Sequence, residues 1–518
     1  MFHYGKDEMT VGQALAIARG HLPATIAADT RLVVTQSQQV VEQVVQQGGA
    51  VYGINTGFGP LCSTAISRED TAILQRKLLL SHSVGVGNPI AVELSRLMLV
   101  LKVQALAKGY SGISVEVLDR ICWHLEANVI PVVPKQGSVG ASGDLAPLSH
   151  LFLPLIGEGK VHYEGEIVAT RDVLQRLGVS PLVLGPKAGL ALINGTQFIA
   201  AHAVLLVERF HNCLQQADTI AALMIEGLKG SKSPFDQKLH ALRPYAGTQF
   251  VAQRVDRFLE GSEIVTSHEN CSRVQDPYSL RCVPQVHGAS RQAWLHLKEA
   301  VETEINSVTD NPVVFSAEEV ISGGNFHGQP LALPLDYACL AISELGNISD
   351  RRSYLSLEGK APGVPKLLME DTGVNSGFMI VQYTSAALAS ENKSLCYPAS
   401  ADSIPTSLGQ EDHVSMGSIS GRKALRVCEN VEKILAVELL CAAQAMDFHR
   451  PLRSSAFLEA AHQQIREQIP TATEDRIFGQ DIELAIQLVQ SGQLLELEDQ
   501  FFTSPETPFS LWRSSVNA

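Results

Sequence analysis

From Gly195 onward, apolar positions recur three and four residues apart over long stretches. That period predicts helices at roughly 197–228, 290–307, 331–356, 376–394, 416–446 and 474–492. Helices of this length, with no fixed-period repeat and no low-complexity linker between the halves, imply a bundle whose apolar stripes form the core. Ahead of Gly195 the pattern is shorter and more broken. Short helices are expected between Val11 and about Ala50, the last ended by Gly48-Gly49. Ser67-Arg-Glu-Asp70 reads as a capping-box start for a helix reaching Ser81, and His82-Ser-Val-Gly85-Val-Gly87-Asn-Pro89 stops it. Helices follow at about 92–108 and 114–128, and Val161-His-Tyr-Glu-Gly-Glu-Ile-Val168 reads as a hairpin turning at Glu164-Gly165. The expectation is a mainly α chain, with an N-terminal domain over 1–195 and a long helical-bundle domain over 196–518.

Chemistry is to be sought where the periodicity fails. Gly137-Ser-Val-Gly140-Ala141-Ser142-Gly143-Asp144 gathers small residues around a serine with no visible activating partner. Neither Ala141 nor Gly143 has a side chain large enough to block attack of the Gly143 amide nitrogen on the Ala141 carbonyl carbon in a tightly bent loop. Loss of two waters, the second taking the Ser142 hydroxyl, would leave a five-membered ring bearing a conjugated exocyclic methylene, an electrophile made without added cofactor. The plainer reading is a connecting turn or a phosphate cradle. A phosphate loop, however, needs Lys-Ser/Thr after its glycines, and a serine nucleophile elbow needs Gly-x-Ser-x-Gly; this loop has neither.

Four further stretches break the pattern. Val51-Tyr52-Gly53-Ile54-Asn55-Thr56-Gly57-Phe58-Gly59-Pro60 is either a surface turn or an ordered loop presenting Tyr52 and Asn55. Ser322-Gly-Gly-Asn325-Phe326-His327-Gly328-Gln329-Pro330 is too glycine-rich for helix. Gln275-Asp276-Pro277-Tyr278-Ser279-Leu280-Arg281 places an amide, a phenol and a guanidinium together; Arg281 could clamp a carboxylate with two parallel hydrogen bonds or sit in a surface salt bridge. Glu411-Asp412-His413 reads as a solvated charge cluster unless the fold turns it inward, and a histidine at a helix end, such as His82, is ordinarily a C-terminal cap.

Composition narrows the class. The chain of 518 residues is 45% hydrophobic and carries a formal charge of −14, which argues against nucleic acid or an anionic membrane as partner. Nine cysteines are scattered singly, with no Cys-x-x-Cys pair, so neither a disulfide framework nor a structural zinc site is expected. The charged start Met1-Phe-His-Tyr-Gly-Lys-Asp-Glu lacks the apolar core of a secretory signal, and no run of 18 apolar residues occurs; a cytoplasmic protein is expected.

Gly140-Ala-Ser-Gly-Asp-Leu145 resembles the signature of the aromatic amino-acid ammonia-lyases and aminomutases, and the likeness runs from about Tyr52 to Arg450. The resemblance implies a prosthetic group, 4-methylideneimidazole-5-one (MIO), formed from Ala141, Ser142 and Gly143, with no external cofactor or metal. It also implies a homotetramer whose active sites draw on more than one subunit. The finer motifs resemble the histidine ammonia-lyases of that family, which implies elimination of ammonia from L-histidine to give trans-urocanate. Tyr52 is then the implied base, with Tyr278 and Glu411 as competitors. His82 and Phe326 become pocket residues, Asn194 lies near the ring oxygen, Gln275 contacts substrate, and Arg281 anchors its carboxylate. Glu411 with His82 favours an imidazole over a phenyl ring, because a carboxylate facing the ring needs an N–H donor to accept from. The alternatives are a tyrosine or phenylalanine ammonia-lyase or aminomutase and, from another class, a non-catalytic homologue that keeps the scaffold.

Overall fold

The structure is a computed structural model. It describes residues 1–47, 53–54, 56, 68–268, 274–503 and 507–511; the side chains of residues 68–70 are not described. The fold is mainly helical, and its strands are only two to four residues long.

The centre is built on the helices Gln197–Gly227, Val283–Glu304, Gln329–Leu357 and Gly417–Asp447, which pack along one another. Gln197–Gly227 and Gly417–Asp447 are buried along most of their length, most fully over Gln216–Gly227 and Ile434–Met446, as helices at the centre of a bundle are. Small residues let them approach closely: a Cβ on Gly227 would stand 2.7 Å from the Ala445 Cβ. The predicted spans agree with the observed helices, except that the helix expected at 290–307 starts at Val283, where Pro284 occupies its first turn. Met379–Leu395 and Phe478–Ser491 match the remaining two spans.

Charge is also buried here. Asp218 accepts from His287 Nδ1 at 2.8 Å, Arg254 Nε at 3.0 Å and Arg291 Nη2 at 2.6 Å. Burial pushes its carboxyl up, but Arg291, His287 and Arg254 overcome that and hold it below the usual range. Removing one member would leave the others as uncompensated buried charges. Cys213 and Cys428 bring their sulfurs to 3.8 Å between the two central helices, and both are free thiols.

The N-terminal part supplies the helices Val11–Ala18, Ala28–Gln47, Arg68–His82, Val92–Leu106, Val115–Glu126, Leu145–Phe152 and Ala188–Ile193. The expected hairpin is present as Lys160–Tyr163 paired with Glu166–Ala169; its turn residues Glu164 (φ 51°) and Gly165 (φ 84°) both take the left-handed conformation of a two-residue hairpin turn. The Gly48-Gly49 stop and the Ser67 cap lie outside the described residues. One apolar cluster runs from Phe2 to Leu511. Among the described residues, no helix is long and apolar enough to cross a membrane.

Candidate active site

The loop after Gln136 crosses between the N-terminal part and the bundle. Val139 O accepts from Met416 N–H at 3.0 Å, and Ser138 O from the Ser418 hydroxyl at 2.7 Å, so the start of the Gly417–Asp447 helix holds one side. Two glycines are required by space. A Cβ on Gly140 would meet Ser415 Oγ at 2.2 Å, and one on Gly143 would meet Gly195 O at 2.1 Å, and both residues have positive φ. Ser142 also lies in the left-handed region, at φ 50°, which an L-residue adopts only when its surroundings force it.

Those surroundings are the Asn194-Gly195 break between the helices Ala188–Ile193 and Gln197–Gly227. Gly195 N–H donates to Ser142 O at 3.4 Å, and Gly195 O accepts from Asp144 N–H at 2.8 Å. The pair brackets Gly143 and uses neither its N–H nor its C=O. Asp144 is fully buried under the loop and accepts from Ile199 N–H at 3.0 Å and from the Ser138 hydroxyl at 3.3 Å, so it satisfies the first turn of the Gln197–Gly227 helix. Burial pushes its pKa up to about 7 against the pull of those donors.

The Ser142 hydroxyl donates to Glu411 Oε1 at 2.8 Å, while Glu411 Oε2 accepts from Ser407 Oγ at 2.6 Å and Thr406 Oγ1 at 3.0 Å. Glu411 is therefore turned inward onto the loop. His82 ends the Arg68–His82 helix with Nδ1 2.9 Å from Ser81 Oγ; burial pushes its imidazole pKa down, and the Leu78 carbonyl and the Glu411 charge oppose that shift. Asn194 is 3% exposed, and its side-chain Oδ1 is buried without a hydrogen-bond partner. A Cβ on Gly328, two residues after Phe326, would lie 2.7 Å from Ile199 Cδ1 and 2.9 Å from Ser415 Oγ. His327 Nε2 lies 3.3 Å from His413 O, and the two rings stack at 5.7 Å. Ala141, Ser142, Gly143, Glu411, His82 and Asn194 thus gather at one end of the bundle.

Gln275, Tyr278 and Arg281 do not join them within one chain. They cluster with one another: Arg281 donates through Nη2 to Gln275 Oε1 at 3.0 Å and through Nε to Asp276 O at 2.9 Å, and its guanidinium lies over the Tyr278 ring at 4.6 Å. Gln275 and Pro277 line a cavity of about 250 Å³ with Leu228, the residue after the Gln197–Gly227 helix, and Arg352 near the end of Gln329–Leu357 donates to Ser279 O at 3.4 Å. Asn194 precedes that helix and Leu228 follows it, so its 31 residues separate the two groups by about 46 Å. Tyr278 is 71% exposed. Tyr52 lies outside the described residues. Its neighbour Gly53 sits against Leu190 and Pro312, and Gly53 N–H donates to Thr56 Oγ1 at 3.4 Å.

Sequence reading missed Lys102 and the carboxylate role of Asp144. Lys102 donates through Nζ to Asn194 O at 2.6 Å and to Gln197 Oε1 at 3.3 Å. Its signal was a single charge inside the apolar run Leu97-Met-Leu-Val-Leu-Lys102-Val-Gln-Ala-Leu106, where a solvated lysine has no place.

The family model described as aromatic amino acid lyase matches residues 9–467. The chain belongs to this family. It is 48% identical over 465 residues to the histidine ammonia-lyase of Natranaerobius thermophilus, covering 89% of this chain and 92% of that one. Its fold is similar to the crystal structure of histidine ammonia-lyase from Trypanosoma cruzi, at TM-score 0.90 and 40% identity, over 98% of this chain and 96% of that one. It is equally similar in fold to tyrosine aminomutase from Streptomyces globisporus, at TM-score 0.90 and 35% identity, over 96% of this chain and 98% of that one.

Proposed function

We propose that this chain is a carbon-nitrogen lyase acting on L-histidine, releasing ammonia and trans-urocanate through an MIO group made from Ala141, Ser142 and Gly143. The observation that carries this reading is the Glu411 carboxylate on the Ser142 hydroxyl, with His82 close enough to feel its charge. A carboxylate at that point suits an imidazole, which has an N–H to donate, better than a phenyl or phenol ring.

The residues fit the prosthetic group. Positive φ at Gly140, Ser142 and Gly143 bends the loop tightly, and the Gly195 bonds hold the flanks while leaving the Gly143 amide uncommitted by either. The unpartnered Asn194 Oδ1 offers a buried polar atom beside it. Once formed, the ring would supply an electrophilic methylene that captures the substrate amine and makes it a better leaving group. The remaining work falls to the chain's own side chains. Arg281 has the planar fork to bind the substrate carboxylate, with Gln275 beside it. Glu411 and His82 orient the imidazole, Phe326 walls it, and Tyr52 takes the proton from the β-carbon, with Tyr278 and Glu411 as the other groups able to do so.

Because Ser142 and Arg281 lie at opposite ends of one bundle, a complete site needs a second copy of the chain. This supports the homotetramer with shared sites that the sequence resemblance implies. The division near residue 195 likewise belongs to this proposal: a ring-bearing part before the Gln197–Gly227 helix and the bundle after it. Ser142→Ala and Arg281→Ala variants, each inactive alone, should regain about a quarter of wild-type activity when co-expressed, the statistical share of sites that draw both intact residues from different chains. No recovery in mixed oligomers would show each site to be built from one chain.

Incubation with L-histidine, L-tyrosine and L-phenylalanine side by side, following free ammonia and the absorbance of the conjugated acid, tests the substrate. Histidine should dominate; preferred turnover of tyrosine, or a β-amino acid product, would favour the aminomutase or tyrosine-lyase reading. Glu411→Gln should lower histidine turnover by about 10- to 100-fold, the scale of one charge-assisted hydrogen bond, and narrow its lead over tyrosine. Unchanged discrimination would place substrate choice elsewhere.

A further inference from the structure

Lys102 stands in the C-terminal half of the Val92–Leu106 helix, 1% exposed, and among the described residues it makes no ion pair. Its Nζ is spent instead on Asn194 O at 2.6 Å and Gln197 Oε1 at 3.3 Å. Asn194 O and Gly195 N–H belong to one peptide group, and that N–H donates to Ser142 O at 3.4 Å. An ammonium, a peptide group and the Ser142 carbonyl therefore form a single hydrogen-bonded line. We propose that Lys102 is a positioning residue that fixes and polarises the Asn194–Gly195 peptide, so that Gly195 N–H stabilises negative charge gathering on Ser142 O.

The physical reason is cooperative. A cation on the carbonyl side of an amide draws electron density away from its nitrogen and strengthens the N–H as a donor, and in a dry interior the effect is not screened. On the reading that a ring forms from Ala141-Ser142-Gly143, on which this inference rests, Ser142 O is the carbonyl conjugated to the Ser142 Cβ. Attack at that carbon moves density onto this oxygen, and a donor fixed there in advance lowers the barrier without reorganising. Gln197 holds the other side of the ammonium and donates through Nε2 to Thr309 Oγ1 at 2.8 Å, so Lys102 has little freedom to leave. Burial pushes its pKa down to about 7; Asp310 and Asp144 oppose that shift and Lys187 adds to it. Lys187 is itself engaged by Asp310, which keeps that carboxylate off Lys102.

A merely structural role is the competing account: a cation near the C-terminus of the short Ala188–Ile193 helix. Lys102→Met and Lys102→Arg separate the two. In each purified protein one measures the mass of the loop peptide, the near-ultraviolet absorbance of the ring, and kcat and KM for histidine, with melting as a fold check. Lys102→Met should lose about 10- to 100-fold in kcat, the range of a charge-assisted hydrogen bond, with KM nearly unchanged and the ring absorbance shifted. Lys102→Arg, which keeps the charge, should restore most of both. A folded Lys102→Met whose loop stays at sequence mass would favour the merely structural account and overturn the proposal, since no ring would then be present for Gly195 N–H to act on. Wild-type kcat with an unshifted band in Lys102→Met would overturn it, as would a change in KM alone. If Lys102→Met does not fold, Lys102→Gln, a neutral donor, is judged by the same outcomes. A wild-type loop at unmodified mass would instead remove the ring reading itself, and that result is read before any variant is made.

Discussion

Ser142→Ala should give a folded protein with activity reduced by about four to six orders of magnitude, the scale on which enzymes lose rate when the group that bonds to substrate is removed. Alanine has no hydroxyl to lose, so the exocyclic methylene cannot form even if Gly143 still closes on Ala141. The fold should hardly notice. Ser142 is at φ 50°, where alanine is no more strained than serine, and the hydroxyl that reaches Glu411 in the uncyclised loop is lost from the wild-type protein too when the ring forms. Intact mass makes the result unambiguous: the wild-type loop should be two waters lighter than its sequence, and the variant should not be. An active wild-type enzyme with an unmodified loop would end the ring hypothesis.

The long helices were legible because their periodicity is uninterrupted, and the structure buries the residues the pattern marked. The helices Ala246–Phe258 and Ala456–Gln468 do not stand out in the pattern, although Val251, Val255 and Phe258, and Phe457, Ala461 and Ile465, carry the same spacing at shorter length. Three turns of helix between polar segments offer too few repeats to stand out from chance. The Ala141-Ser142-Gly143 loop was legible for a different reason: its glycines answer to steric demands, since a Cβ on Gly140 would meet Ser415 Oγ at 2.2 Å and one on Gly143 would meet Gly195 O at 2.1 Å.

The site itself was only partly legible. Motif spacing identifies residues that share a task, but it does not say whether one chain brings them together. Ser142 and Arg281 read as neighbours by function and stand at opposite ends of a 31-residue helix. Glu411 looked like a surface charge cluster and is turned onto Ser142 because Thr406 and Ser407 hold its second oxygen. Lys102 carried the opposite signal, a charge where the pattern demanded an apolar residue. Such a violation marks either an error in the reading or a group with a buried task.

Tyr52→Phe should lower kcat by about two to four orders of magnitude, the contribution of a positioned general base, while the loop remains two waters lighter than its sequence. The substitution removes one oxygen and leaves the shape of the ring, so KM should change little. Gly53, its neighbour, packs on Leu190 of the Ala188–Ile193 helix, and that helix leads directly to Asn194, so this part of the loop is anchored to the element that holds Ser142. A tyrosine in water has a pKa of about 10, so a base at this position must be pulled toward phenolate by donors or positive charge. The sign follows: activity should rise with pH as the proton leaves, and the rising limb of kcat/KM should vanish in the variant. Should Tyr52→Phe keep both its rate and that limb, the proton must be taken by Glu411, which already faces Ser142, or by Tyr278 of a neighbouring copy. Glu411→Gln and Tyr278→Phe then separate those two, because only the variant of the true base loses the limb along with the rate.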